Sequence, residues 1–155
     1  MIDAQIKGLI EAQRNIEQAI ADLKGKPMLD AMRDSLLIVQ RDAKILSPVD
    51  TGRLRASITP EIRSRRENVI VGVVGSNVMY APYMELGTRP HWPPIRALEV
   101  WARRHGTNAF LVARAISRRG TRPRRYLQRS FTQNQGRIIA RFEKAVKEIA
   151  AKAND

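Results

Sequence analysis

Asp50-Thr51-Gly52 is the tripeptide of this chain that most invites a catalytic reading. In aspartic proteases two such aspartates share one proton. The flanks argue against that chemistry here. A protease loop needs an apolar strand before the aspartate, and Ser47-Pro48 stands in its place. Arg53 and Arg55 follow at once, and nearby cations lower a carboxylate pKa where a dyad needs one raised. Asp50 is better read as the cap of a single helical turn. The histidines, His91 and His105, have no metal-ligand spacing, and the chain holds no cysteine to complete a site. His91 lies beside Trp92 in a proline loop, which suits packing or a loop hydrogen bond. Gly72 and Gly75 lack the flanking pattern of a phosphate-cradling loop. The scattered Ser, His and Asp residues define no triad. No enzymatic reading and no cofactor or metal site survives.

The remaining chemistry is charge. The 155 residues carry a net +13, distributed unevenly. Residues 1–50 balance seven bases against eight acids, whereas residues 89–125 hold ten arginines against Glu99 alone. Arg114, Arg118, Arg119, Arg122, Arg124 and Arg125 are the densest part of that block. Arginine presents a planar fork that matches phosphate and carboxylate, so a polyanion or an acidic protein face is the natural partner. Only Tyr126 adjoins the block, and without a stacking platform sequence-specific single-strand recognition is disfavoured. Gly120 and Pro123 suggest a flexible arm that could track a phosphate backbone or dock on an acidic neighbour. A merely solvated, solubilising surface is the plain alternative.

These groups need elements to hold them. The length fits one domain without disulfide staples. The charged residues Asp3, Lys7, Glu11, Arg14 and Glu17 do not fit a secretory signal. No apolar run approaches the ~20 residues of a membrane span, so the chain reads as soluble. Ile2, Ile6, Leu9, Ile16, Ile20 and Leu23 form a narrow helical stripe over residues 1–25, ended by Gly25 and Pro27. That helix can fold back as a hairpin or project onto another subunit. Met32, Leu36, Val39, Ala43 and Leu46 predict a second helix that stops at Ser47-Pro48. A strand is expected from Ala56 to Ile62, demoted to an edge by Pro60. A polar turn then covers Arg63 to Asn68. Val69 to Val74, apolar on both faces, reads as a central strand. Short helices are expected from Ala81 to Gly87, from Pro94 to Gly106 and from Ala109 to Gly120. A last helix runs over 126–153, with Leu127, Phe131, Ile138, Phe142 and Ile149 on one side and a possible kink at Gly136. The fold class is α+β: a small antiparallel sheet packed by long N-terminal and C-terminal helices, with a short helical insertion. Residues 28–88 form the helix-plus-sheet core and 89–125 the arginine-rich insertion and arm.

Two corners punctuate the core. One is S-P-V-D-T-G-R-L-R-A-S-I, Ser47 to Ile58, and the other is Y-A-P-Y-M-E-L-G-T, Tyr80 to Thr88. Glu85 is the sole acid between Glu67 and Glu99. An ion pair from Glu85 to Arg53, Arg55 or Arg89 would fix how the corners dock.

Taken in order, with G-T-R-P-R-R-Y-L at Gly120 to Leu127, these motifs resemble the head–tail joining, or tail-completion, family of long-tailed bacteriophages and prophages. The family pattern is a helix ending in proline, D-T-G-x-L-x-x-S-I, Y-A-x-x-x-E-x-G-T, then P-x-x-F/Y-L entering the final helix. The positions that carry it are Pro48, Asp50, Thr51, Gly52, Leu54, Tyr80, Glu85, Gly87 and Thr88. The likeness covers Leu36 to Phe131. It departs at the Pro94 to Arg119 insertion and at Tyr126, where phenylalanine is commoner. The resemblance implies a non-enzymatic virion protein of the neck, made in the host cytoplasm and assembled as a homo-oligomeric, hexameric ring. Its implied neighbours are head-completion or connector proteins and tail-terminator or tail-tube proteins, with phage DNA in the lumen and no membrane. The rival reading is a free-standing, non-specific nucleic-acid-binding protein using residues 89–125. An assembly chaperone is a third.

Overall fold

The computed structural model describes residues 13–23, 25–66 and 69–154. The stripe positions Ile2, Ile6 and Leu9, and the turn residues Glu67 and Asn68, lie outside them. The architecture is α+β: seven helical segments and one two-stranded antiparallel sheet among the described residues. None of the helices is long and apolar enough to cross a membrane.

Helix α1 covers residues 13–23. Helix α2, Lys26–Leu46, starts directly after Gly25 with Pro27 in its first turn, where a missing N–H costs nothing. It ends where the sequence demands. Ser47 is extended before Pro48, and its N–H closes on the Ala43 carbonyl at 2.9 Å. Helix α3, Arg53–Ser57, is a single turn led by Gly52. It consumes residues expected in a strand, because Leu54 must turn inward to be buried. Strand β1 therefore begins later, Ile58–Arg66, and pairs with β2, Val69–Ser76. The pairing carries β1 through most of the segment read as a polar turn. The register sets Pro60 opposite Val74 and Ile62 opposite Gly72, with an irregularity between Ser64 and Arg66. With only two strands, β2 is not central within this chain, despite its apolar faces.

Helix α4, Ala81–Leu86, has proline in its first turn and Gly87 past its end. Helices α5, Ile95–Arg104, and α6, Ala109–Arg119, form a hairpin. The Asn108 side chain caps α6 by accepting the N–H of Phe110 at 2.8 Å. Trp92 meets Phe110 edge-on at 5.8 Å, and Trp101 stacks on His105 at 4.2 Å. His91 makes the expected loop bond, Nδ1–H donating to the Arg89 carbonyl at 2.9 Å. Helix α7, Tyr126–Asn154, runs through Gly136 without a break.

Helix α7 lies along α2. The buried line of α7 is Tyr126, Ser130, Asn134, Ala145 and Ile149. Over the first half of the helix it is offset by one residue from the bulky stripe read in the sequence, and Phe131 is half exposed, whereas Ile149 belongs to both lines. Small side chains explain the offset. Ala31, Ser35 and Ala43 on α2 let the helices approach closely, which large apolar groups would prevent. Asn134 Nδ2 bridges the interface, donating to Asp42 at 2.7 Å and to the Ser130 carbonyl at 2.8 Å. That bond, and then Arg41, hold the Asp42 carboxyl below its ordinary pKa. Arg141 reaches Asp34 on α2 at 2.7 Å.

Candidate functional site

The three sequence motifs converge on one apolar cluster. It unites Ala43 of α2, Leu54 of the D-T-G corner, Ile58 of β1, Val78, Ala81 of the second corner and Tyr126 at the start of α7. Leu54 and Ala81 are therefore anchors: they draw each corner onto the entry of the last helix. Ser57 and Ser76 tie the two corners' flanks through hydroxyls 2.7 Å apart.

Glu85 does not pair with an arginine. Its carboxylate accepts the backbone N–H of Leu127 and of Gln128, both at 2.9 Å. Those are among the unsatisfied donors of the first turn of α7, at the positive end of the helix dipole. Glu85 thus caps a helix 42 residues further on in the chain. Backbone contacts reinforce it, Arg124 N–H donating to the Met84 carbonyl at 2.9 Å and Arg125 N–H to the Glu85 carbonyl at 3.1 Å. Arg125 adopts a positive φ of 51°, uncommon for a residue with a Cβ.

The glycine-threonine pairs complete the junction. Thr88 and Thr121 exchange two backbone hydrogen bonds of 3.2 Å as an antiparallel bridge, and their hydroxyls lie 3.1 Å apart. Gly87 and Gly120 have φ of 73° and 68°. A Cβ on Gly120 would overlap the Thr88 carbonyl, and one on Gly87 would overlap the Thr121 carbonyl. The segment expected to be a flexible arm is therefore pinned along the end of α4. Glycine serves close approach here rather than freedom.

Asp50 does not cap α3. Gly52 occupies the cap with φ 79° and no side-chain bond, while the Asp50 carboxylate pairs with Arg104 of α5. The left-handed turn at Gly52 starts the helix two residues late for Asp50 to reach it. Instead Asp50 links the D-T-G corner to the insertion. Thr51 Oγ1 accepts the Arg53 N–H at 3.5 Å, a weak bond. Pro48 is half-buried behind α2, and Tyr80 leads α4 with its carbonyl accepting the Tyr83 and Met84 N–H groups.

Tyr126 sits fully buried in the cluster, and its hydroxyl finds no hydrogen-bond partner. Burial first, then the nearby charges of Glu85 and Tyr80, raise its pKa above the ordinary tyrosine value. In the sequence Tyr126 stands out as the aromatic beside the arginine block and as a departure from phenylalanine. Gly120-Thr121 stands out as a helix end and part of a motif. Nothing local shows their packing roles, and Asn134 gives no signal at all.

Arg114, Arg118, Arg119, Arg122, Arg124 and Arg125 are all exposed. None forms an ion pair with a described residue, whereas Arg33, Arg41, Arg63, Arg104 and Arg141 each hold a carboxylate. Among the described residues no group of three or more His, Cys, Asp or Glu could hold a metal ion.

The ordering of corners on a helix–sheet core agrees with a family comparison. Residues 10–87, half of the chain, match the family model for bacteriophage HK97-gp10-like tail components. The chain belongs to this family. Its match with the tail-component model contains the first corner and all of the second but Thr88, ending at Gly87, so the insertion, the arginine segment and α7 lie beyond it. No curated protein and no solved structure matches this tail component.

Proposed function

We propose that this tail component is a non-enzymatic structural protein that forms a ring at the neck of the virion, completing the tail or joining head to tail around the DNA channel. The observation that carries this reading is the set of six exposed arginines with no ion partner among the described residues, three on α6 and three on the segment whose backbone at Arg124 and Arg125 is bonded to the end of α4. Fixed, uncompensated guanidinium groups suit an anionic surface of defined shape, either DNA in a lumen or the acidic face of an adjoining ring. Ring copies would also cover what one chain leaves open. The sheet has two strands, and β2 is apolar on both faces, as befits a strand flanked by others. The whole chain would act as one folded unit, with D-T-G-R-L and Y-A-P-Y-M-E-L-G-T fixing its shape rather than reacting. Mutual repulsion of cationic copies would hold back self-assembly until a template recruits them.

The same arginines favour one rival, a dedicated non-specific nucleic-acid-binding protein. Duplex binding across a salt series separates the two. A neck protein holds naked duplex weakly at roughly 150 mM salt and forms defined oligomers or binds tail-tube ends. A dedicated binder holds duplex firmly there, with a steep salt slope, and that result would replace the ring reading.

A further inference from the structure

We infer that helix α1 of one copy docks in the apolar groove between α2, β2 and α7 of the next copy, so that each subunit supplies one helix and one groove. The inference rests on the ring reading above for the existence of neighbouring copies, and adds which surfaces meet.

Both halves of the junction are present in the chain, and neither has a partner among the described residues. The groove encloses about 350 Å³ and is lined by Met32, Leu36, Val74, Phe131, Ile138 and Phe142, among others. These include the bulky α7 side chains that the close α2–α7 contact leaves to one side. Phe131 is 51% exposed. On α1, Ile16, Ile20 and Leu23 lie on one face at spacings of four and three, exposed by 60%, 49% and 43%. Such a stripe on a helix otherwise built of polar residues and two alanines is made to be covered.

Dimensions agree. Ile16 to Leu23 spans roughly 10 Å of helix, and Phe131 to Phe142 spans roughly 16 Å. A helix laid in a groove with anchors four and three apart is a common recognition mode. Charge also agrees. The first 23 residues carry Asp3, Glu11, Glu17 and Asp22 against Lys7 and Arg14, whereas the rest of the chain holds all of the cationic excess. The N-terminal segment is thus the part of the molecule that a second, cationic copy attracts. The helix of the same copy does not fill the groove. No α1 residue lines it, and Asp22 instead shares a separate cleft with Lys144 and Glu148 further along α7. A helix-to-groove contact joins unlike surfaces, so it propagates head to tail and can close into a ring.

The test is light scattering coupled to gel filtration on the full chain, at salt high enough to screen self-repulsion. Wild type should form oligomers. The α1 variant I16E/I20E and the groove variant F131E should each be monomeric with an unchanged helical circular-dichroism signal, since all three positions are exposed. An equimolar mixture of the two variants should recover dimers, because one intact helix meets one intact groove. Three results would overturn the inference: a monomeric wild type, an F131E variant that stays oligomeric, or a mixture that stays monomeric. An oligomer that survives F131E leaves the neck ring standing and removes only this contact. Oligomers that behave as described, in a phage whose particles join normally without the protein, would remove the neck role and leave the contact.

Discussion

The junction of α4 with α7 and the arginine segment beside it are neighbours in the chain, yet they use their residues in opposite ways. At the junction the strong groups are spent internally, apart from the unpartnered Tyr126 hydroxyl. The Glu85 carboxylate is consumed by two backbone donors, and Thr88 and Thr121 satisfy each other. In the arginine segment the backbone is spent and the side chains are free. Arg124 and Arg125 give their N–H groups to Met84 and Glu85 while their guanidinium groups stay exposed. A substitution at the junction should therefore change stability and leave partner binding to follow. A substitution in the segment should change partner binding and leave stability alone.

The largest break should come from Gly120→Ala. A methyl group there meets the Thr88 carbonyl and forces a side chain into positive φ. Thermal and urea unfolding should show a loss of roughly 3 kcal/mol or more. Next comes Glu85→Ala, which strips the cap from α7 and should cost about 2 kcal/mol in the same assay. Glu85→Gln, keeping one acceptor without the charge, should cost about half of that.

Tyr126→Phe sharpens the comparison from the other side. Removing a buried hydroxyl that has no partner should raise stability by up to about 1 kcal/mol. The same hydroxyl sets a pH dependence. Its folded pKa is raised, so its contribution is complete below the unfolded tyrosine value near 10 and is lost as pH climbs through the folded value. Between those two values wild type should lose stability more steeply than Tyr126→Phe does, in unfolding measured across alkaline pH. The smallest effect on stability belongs to the segment. Replacing Arg118, Arg119, Arg122 and Arg124 together by glutamine should shift unfolding by less than about 0.5 kcal/mol. It should lower the salt concentration needed for elution from an anionic column matrix without abolishing retention, since the chain keeps most of its positive charge. A large stability loss in that variant would show that the guanidinium groups serve the fold after all.

Much of this fold could be read from local residue patterns. Proline and glycine punctuation located α2, α4, α5, α6 and α7 because helix stops are local chemistry. The D-T-G and E-L-G-T corners were visible, and the family match covers the first and reaches Gly87 of the second. What stayed hidden was long-range. Glu85 looked like a partner for an arginine because sequence displays charges, not the unsatisfied donors of a helix 42 residues away. Asp50 looked like a cap because capping is the local default, whereas its partner Arg104 lies in the insertion. At the start of α7 the buried line runs one residue from the bulky stripe, because bulk is not burial, while Ile149 lies on both. Ser130 and Asn134 are small or polar, and only the close approach of α2 makes them interior. Strand β2 is the instructive case. Its residues describe a strand with neighbours on each side, and a single copy supplies only one.

The account stands or falls on whether this chain joins or completes particles. Phage particles assembled without it should be viewed by negative-stain microscopy, with the wild-type chain added back as control. Full heads and separate tails, rejoined on add-back, are the predicted result. Normal, infectious, joined virions in its absence would contradict it.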